Sequence, residues 1–319
     1  MLVRNDLKSN FKILLWFFKY LIMYFVKSKT CLYYITLKCN DTCEFCPLWN
    51  DEEAQKIKEA PIEKHCDNLK YSRLHGGDVL EVTGGEPLLY DNLPILLKKA
   101  KELGFKINLM TNGILYPERA QELKGLTDNI YFAIDYPDQE EHDRSRGVEC
   151  FSEVLQSLKI AKELGDNPVI YFTVTRDSVR FLPEMVELAG RLDVKLEIHP
   201  VYDFQGLHGF APQTYSHIKY YFKRKNIFVN LAELEFLKDH GNKPLFSRCR
   251  ASQTTITFLP DGTLAEPCFF NKGGRQGKEN VCYGCTRSPY MLPSFKVGVD
   301  KYRLLNWYSA YVQGRKEKE

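Results

Sequence analysis

The sequence predicts an α/β protein whose main body is an open, partial (βα)6 parallel barrel. Three observations predict it. Six strand-like runs occur at 32–37, 78–83, 106–111, 129–135, 169–175 and 195–201. Amphipathic helical patterns lie between most of them, opened by proline or closed by glycine. Residues able to do chemistry follow the ends of these runs, where parallel sheets gather their ligands. Strand–helix–strand repeats with right-handed crossovers make a parallel sheet, and six units are too few to close an eight-stranded barrel.

Residues 1–30 form a first region. Phe11 to Val26 is far more apolar than a surface helix. Lys8, Lys12, Lys19 and Lys27 fall broadly on one side at helical pitch, with Trp and Tyr among them. As a helix the segment is about 24 Å long, short of a hydrocarbon core of about 30 Å. It reads as an amphipathic helix lying on a membrane surface, with a packed structural helix and a spanning anchor as alternatives.

The barrel region is 31–240. Its first run leads into Cys39-Asn40-Asp41-Thr42-Cys43-Glu44-Phe45-Cys46. Clustered thiolates are soft ligands that select zinc or iron–sulfur centres. Zinc usually takes four ligands, whereas three cysteines can hold three corners of a 4Fe–4S cube and leave one iron open. The second run is followed by Gly84-Gly85-Glu86-Pro87. Its glycines let backbone approach a ligand, and Glu86 suits the loop geometry or a ligand amine better than general-base work. Leu93, Leu96, Leu97, Ala100 and Leu103 share a helix face that Gly104 ends. Asn112 closes the third run, as a ligand contact or as half of an Asn-Gly turn. Pro117 suits a first helical turn and Gly125 ends that helix. Asp135 ends the fourth run. Ser152 is placed to cap a helix running to Gly165. Pro183 opens the next helix, and His199 points to the rim as a structural partner or a ligand contact.

The C-x3-C-x2-C loop with Phe45 before its third cysteine, together with Gly84-Gly85-Glu86-Pro87, resembles the radical S-adenosylmethionine (SAM) enzymes. Asp135 followed by Glu141-His142-Asp143-Arg144-Ser145-Arg146-Gly147 resembles them too. The likeness covers about residues 31–201. It implies that Cys39, Cys43 and Cys46 hold a 4Fe–4S cluster whose open iron takes SAM. It implies a SAM pocket of Phe45, Gly84, Gly85, Glu86, Asn112, Asp135, Arg146 and Thr173. Asp135 and Thr173 suit ribose hydroxyls. Arg146, or its rival Arg144, suits the methionine carboxylate. The resemblance further implies reductive cleavage of SAM to a 5′-deoxyadenosyl radical, fed by a reductant such as ferredoxin or flavodoxin.

Residues 241–319 carry a second cysteine set. A helix is predicted near 229–240, then two short strands, 254–258 and 263–266, as a hairpin around Pro260-Asp261-Gly262. Cys249, Cys268, Cys282 and Cys285 make four ligands. The pattern resembles the twitch or SPASM extensions of radical enzymes and implies one auxiliary 4Fe–4S cluster, with zinc and free thiols as alternatives. It departs from them in a gap after Gly262 that is one residue longer, and in lacking the later cysteines. Asp300 to Gly314 reads as a helix that packs on the domain or binds a surface.

Composition excludes little else. A chain of 319 residues with 44% apolar content supports a sizeable core. A net charge of +3 gives no argument for nucleic acid. Ten cysteines in this length do not form a secreted disulfide scaffold, and Cys31, Cys66 and Cys150 stand alone as small hydrophobes. The expected location is cytoplasmic, peripheral at the inner face of the membrane. The expected function is a radical SAM enzyme that modifies an unactivated carbon of a membrane-associated, lipid-like substrate. A maturase of a ribosomally made peptide or protein is the alternative, and an iron–sulfur electron carrier a distant third.

Overall fold

Alternation along each strand sets the architecture. In β2 (Gly77–Gly84), Leu80 and Val82 are fully buried in the main core, while Glu81 and Thr83 face the other way and line a cavity. In β4 (Asn129–Ala133), Ile130 and Phe132 join that core and Tyr131 and Ala133 line the cavity. In β5 (Pro168–Val174), Ile170 and Phe172 contrast in the same way with Tyr171 and Thr173. One face of the sheet is dry against helices, and the other forms a partly polar lumen.

The computed structural model describes residues 28–46, 48–201, 212–243, 247–269 and 282–316. The N-terminal helix expected at 11–26 lies outside the described residues. Among the described residues no helix is long and apolar enough to cross a membrane.

All six predicted strands are present, the other three being β1 (Lys29–Thr36), β3 (Lys106–Thr111) and β6 (Lys195–Pro200). Two more, β7 (Ile227–Val229) and β8 (Thr255–Phe258), extend them into an eight-stranded sheet. Its order is β7-β6-β5-β4-β3-β2-β1-β8, and the paired strands are parallel. The expected hairpin at 254–266 is present in a short form: Phe258 bridges Leu264 antiparallel, Ala265 N donates to the Thr257 carbonyl at 2.8 Å and Leu259 N to the Thr263 carbonyl at 3.0 Å. Its first strand, β8, also joins β1 in parallel, with Thr30 opposite Thr255. The reason is burial: every residue of β8 is buried, so it covers the β1 edge as well as starting the hairpin.

The helices longer than four residues are, among the described residues, α1 (Ile62–Leu74), α2 (Leu93–Glu102), α3 (Tyr116–Leu123), α4 (Gln139–Arg146), α5 (Phe151–Leu164), α6 (Leu182–Leu192), α7 (Pro212–Tyr220), α8 (Leu231–Lys238), α9 (Ser288–Ser294) and α10 (Lys301–Lys316). Pro117 and Pro183 occupy first turns, as predicted. Ser152 is not a cap. The Asp143 carboxylate accepts from Cys150 N and Phe151 N, both at 2.9 Å, and Ser152 bonds Glu153 instead. Helix α1 escaped the periodicity because most of its buried residues, His65, Asn68 and Ser72 beside Leu69, are polar. Asn68 Nδ2 donates to Tyr33 Oη at 3.1 Å and to the Gly262 carbonyl at 2.9 Å, while His65 Nδ1 lies 2.8 Å from Tyr33 Oη. Helix α10 packs on α8: Leu231 N donates to Ser309 Oγ at 3.0 Å and Asn230 Nδ2 to Asn306 Oδ1 at 2.9 Å.

Candidate active site

The C-terminal ends of the strands surround one cavity of ≈ 240 Å³. Cys39, Cys43, Cys46, Phe45, Gly84, Gly85, Glu86, Asn112, Arg146 and Thr173 all line it. Asp135 does not. It stands behind, accepting from Thr173 N at 3.1 Å and ion-pairing with Arg146.

The cysteine loop is held from outside itself. Thr42 N donates to the Arg146 carbonyl at 3.0 Å and Glu44 N to the Ser145 carbonyl at 3.1 Å, so the loop rests on the end of α4. Trp49 Nε1 donates to the Cys43 carbonyl at 3.0 Å. Gly147 permits this closeness, because a Cβ there would sit 2.0 Å from Thr42 Oγ1. Burial pushes the Cys39 and Cys43 thiols up to about 12, while Arg146 draws Cys43 back. Thiols in this setting become thiolates when a metal supplies the positive charge. Three soft donors on one short loop therefore fit an iron–sulfur cluster. Among the described residues, no three Cys, His, Asp or Glu side chains already converge on a metal position.

The glycines of the second motif answer first to the chain itself. A Cβ on Gly84 would meet the Thr36 carbonyl at 2.0 Å, and one on Gly85 the Lys38 carbonyl at 2.0 Å. That closeness lets Gly85 N donate to Thr36 and Glu86 N to Lys38, both at 2.8 Å, which ties the motif to the cysteine loop. Glu86 is buried and accepts from Leu88 N at 2.9 Å, Thr111 Oγ1 at 2.8 Å and Asn112 N at 2.6 Å. Burial pushes its carboxyl up to about 7 despite these donors. These bonds tie Glu86 into the loop. Asn112 shows the turn character and a second bond into the cysteine loop. Its Oδ1 accepts from Ile114 N at 3.1 Å in the turn, and its Nδ2 donates to Asn40 Oδ1 at 2.8 Å in the cysteine loop.

The structure separates the two arginines. Arg144 is 64% exposed and pairs with Glu141. Arg146 is 7% exposed, pairs with Asp135, and lies 3.5 Å from both Asp41 and Cys43 Sγ. Asp41, 2% exposed, accepts from Cys43 Sγ at 3.7 Å and was missed in the sequence. Its position between two cysteines was the available signal. His199 Nε2 lies 2.8 Å from Glu197, its Nδ1 lies 3.4 Å from Glu233, and its ring stacks on Tyr171 at 4.4 Å. Burial opposes its charge, but Glu233 and Glu197 outweigh burial and lift it to about 10.

In the second cysteine set, a residue without sequence signal bonds the backbone of Cys249, Cys282 and Cys285. Asn242, 2% exposed, accepts through Oδ1 from Arg248 N at 2.8 Å and Cys249 N at 3.3 Å. Its Nδ2 donates to the Cys282 carbonyl at 3.2 Å, and its backbone bonds Cys285 and Gly284. Burial pushes the Cys249 thiol up, and Cys285 and Cys282 push it further. Cys268 is positioned through Phe269, which stacks on Tyr34 at 4.6 Å and donates its N–H to Tyr290 Oη at 2.9 Å.

Comparison with known proteins bears on this geometry. The family model described as Radical SAM superfamily matches residues 33–180. A probable GTP 3′,8-cyclase of Methanococcus aeolicus is 30% identical over 73% of this chain and 83% of its own length. One of Sulfolobus acidocaldarius is 26% identical over 72% of this chain and 78% of its own. The crystal structure of Streptococcus suis SuiB bound to S-adenosylmethionine matches with a TM-score of 0.63 at 18% identity, over 78% of this chain and 62% of SuiB. That likeness concerns fold alone, and this chain spans less than two thirds of SuiB. The relatives overturn the expectation of a membrane-associated, lipid-like substrate. Their name is that of an enzyme acting on GTP, a small molecule, neither lipid nor peptide. The family match stops short of Cys249 and gives no support to a twitch or SPASM assignment.

Proposed function

The chain belongs to the radical SAM superfamily, whose members use a 4Fe–4S cluster and SAM, and on that premise we propose that it acts on a small molecule of the nucleotide class, GTP first among candidates. The observation that carries this is the convergence of Cys39, Cys43 and Cys46 with Gly84, Gly85, Asn112, Arg146 and Thr173 on one cavity. The three cysteines hold the cluster, and cluster and SAM together supply the radical chemistry when bound. The chain's own residues orient and shield. Asp135 steers Arg146 toward a carboxylate and fixes the Thr173 backbone. Glu86 locks the glycine loop against Asn112. Phe45 and Trp49 are apolar walls against water.

Cys249, Cys268, Cys282 and Cys285 hold one auxiliary 4Fe–4S cluster in a twitch-like extension. The bonds from Asn242 to the backbone of Cys249, Cys282 and Cys285 support this reading. A reductant such as ferredoxin or flavodoxin supplies electrons. The test uses anaerobically reconstituted full-length protein with dithionite and SAM. It is expected to form 5′-deoxyadenosine, faster with GTP, and to consume GTP. Formation that ignores GTP rejects the nucleotide; no formation at all rejects the active-site reading.

A further inference from the structure

Beneath the cysteine loop, the barrel interior carries polar groups that the SAM-facing residues do not use. Glu81 of β2 lines the same cavity as the three cysteines, and its carboxylate accepts no hydrogen bond among the described residues. Its neighbours are already committed. Glu197, His199 and Glu233 form a chain of contacts at 2.8 and 3.4 Å. Tyr171 stacks on His199, and Tyr131 meets Tyr171 edge-on with centroids 6.1 Å apart. Burial pushes the Glu81 carboxyl up, Lys296 and His199 draw it back, and Glu197 pushes it further up.

Charge decides what this interior admits. Among the described residues, the cavity lining carries Asp41, Glu81 and Glu86 against Arg146 and His199, and Glu197 and Glu233 stand beside His199. Beneath the rim, the described lining is more negative than positive and repels a polyphosphate. A planar group bearing paired N–H donors meets a carboxylate with both oxygens free. Tyr131 and Tyr171 offer it an aromatic wall.

The geometry points to Glu81 as the receptor for a planar, guanidine-type N–H edge of the substrate, with the substrate's anionic groups left at the rim. The identification of that edge with a guanine base rests on the nucleotide reading; the site's chemistry extends to any guanidine-type donor. A carboxylate that accepts two N–H bonds contributes about 10- to 100-fold in affinity.

The experiment is equilibrium dialysis on the full-length, iron-loaded protein with SAM. The probes are guanosine, inosine (which lacks the 2-amino group) and phenylguanidine. Wild type is expected to bind phenylguanidine and to prefer guanosine over inosine. Glu81→Gln weakens guanosine and phenylguanidine about 10- to 100-fold and erases the preference, and Glu81→Asp recovers part of it. The spectral change on SAM binding reports that the variants are folded. The site is overturned if neither guanosine nor phenylguanidine binds wild type, or if Glu81→Gln binds both as wild type does. Probe binding through Glu81 without GTP consumption rejects the nucleotide reading and keeps the site. GTP consumption with an unchanged KM in Glu81→Gln keeps that reading and rejects the site.

Discussion

Cys39, Cys43 and Cys46 share one short loop, whereas Cys249, Cys268, Cys282 and Cys285 come from three segments of the chain. The first loop is anchored by backbone bonds onto the end of α4 and by the glycine motif of β2. The second set depends on one buried side chain, Asn242, and on aromatic packing of Phe269 against Tyr34. Ligands close in sequence need the fold only to present them. Ligands remote in sequence need it to assemble them, so their site fails with any defect in the assembly.

The largest effect comes from breaking each set separately. Cys43→Ala is expected to reduce 5′-deoxyadenosine formation below detection. Cys285→Ala is expected to keep SAM cleavage while iron falls from about eight to about four per chain. Iron and 5′-deoxyadenosine assays on both variants check this, and equal loss in both would erase the contrast.

The glycines sharpen it. Gly85→Ala places a Cβ 2.0 Å from a backbone oxygen and is expected to cost at least about 3 kcal/mol. Gly284→Ala, with φ +67° and its nearest neighbour at 3.9 Å, is expected to cost only about 1–2 kcal/mol. Denaturant midpoints should rank them so.

Asn242→Ala comes next. It leaves the buried N–H of Arg248 and the part-buried N–H of Cys249 without their acceptor and is expected to cost about 2–3 kcal/mol. Iron should leave the second set first, seen as a partial loss with SAM cleavage retained.

The smallest effect is on pH dependence. Glu233 and Glu197 raise His199 from 6.5 to about 10 against the opposition of burial. The stabilisation is therefore complete below pH 6.5 and is lost as pH rises through about 10. Thermal melts from pH 7 to pH 10.5 should fall, and Glu233→Gln should flatten that fall. The bonds of Asn242 involve no titrating group and predict no such trend.

Much of this was legible in the sequence, for identifiable reasons. Strand alternation, the prolines at 117 and 183, and the terminating glycines act within a few residues. Helix α1 was hidden because Tyr33 and Gly262 satisfy its polar buried face, and neither is near it in sequence. β7 was too short to stand out, and β8, expected at 254–258 as a hairpin strand, is also a strand of the main sheet because the β1 edge was open. Ser152 had the right chemistry for a cap, but Asp143 reached the position first from a neighbouring helix.

By itself the sequence determined where the strands lie, which cysteines cluster, and which family's motifs they match, since spacing and periodicity are local properties. Only the tertiary structure buried Arg146 and left Arg144 in solvent, set Asp135 behind the cavity, made Asn242 a hub and left Glu81 facing the lumen. Those outcomes depend on burial and on partners contributed by distant segments. Desolvation is a property of the assembled interior, and no stretch of chain carries it alone.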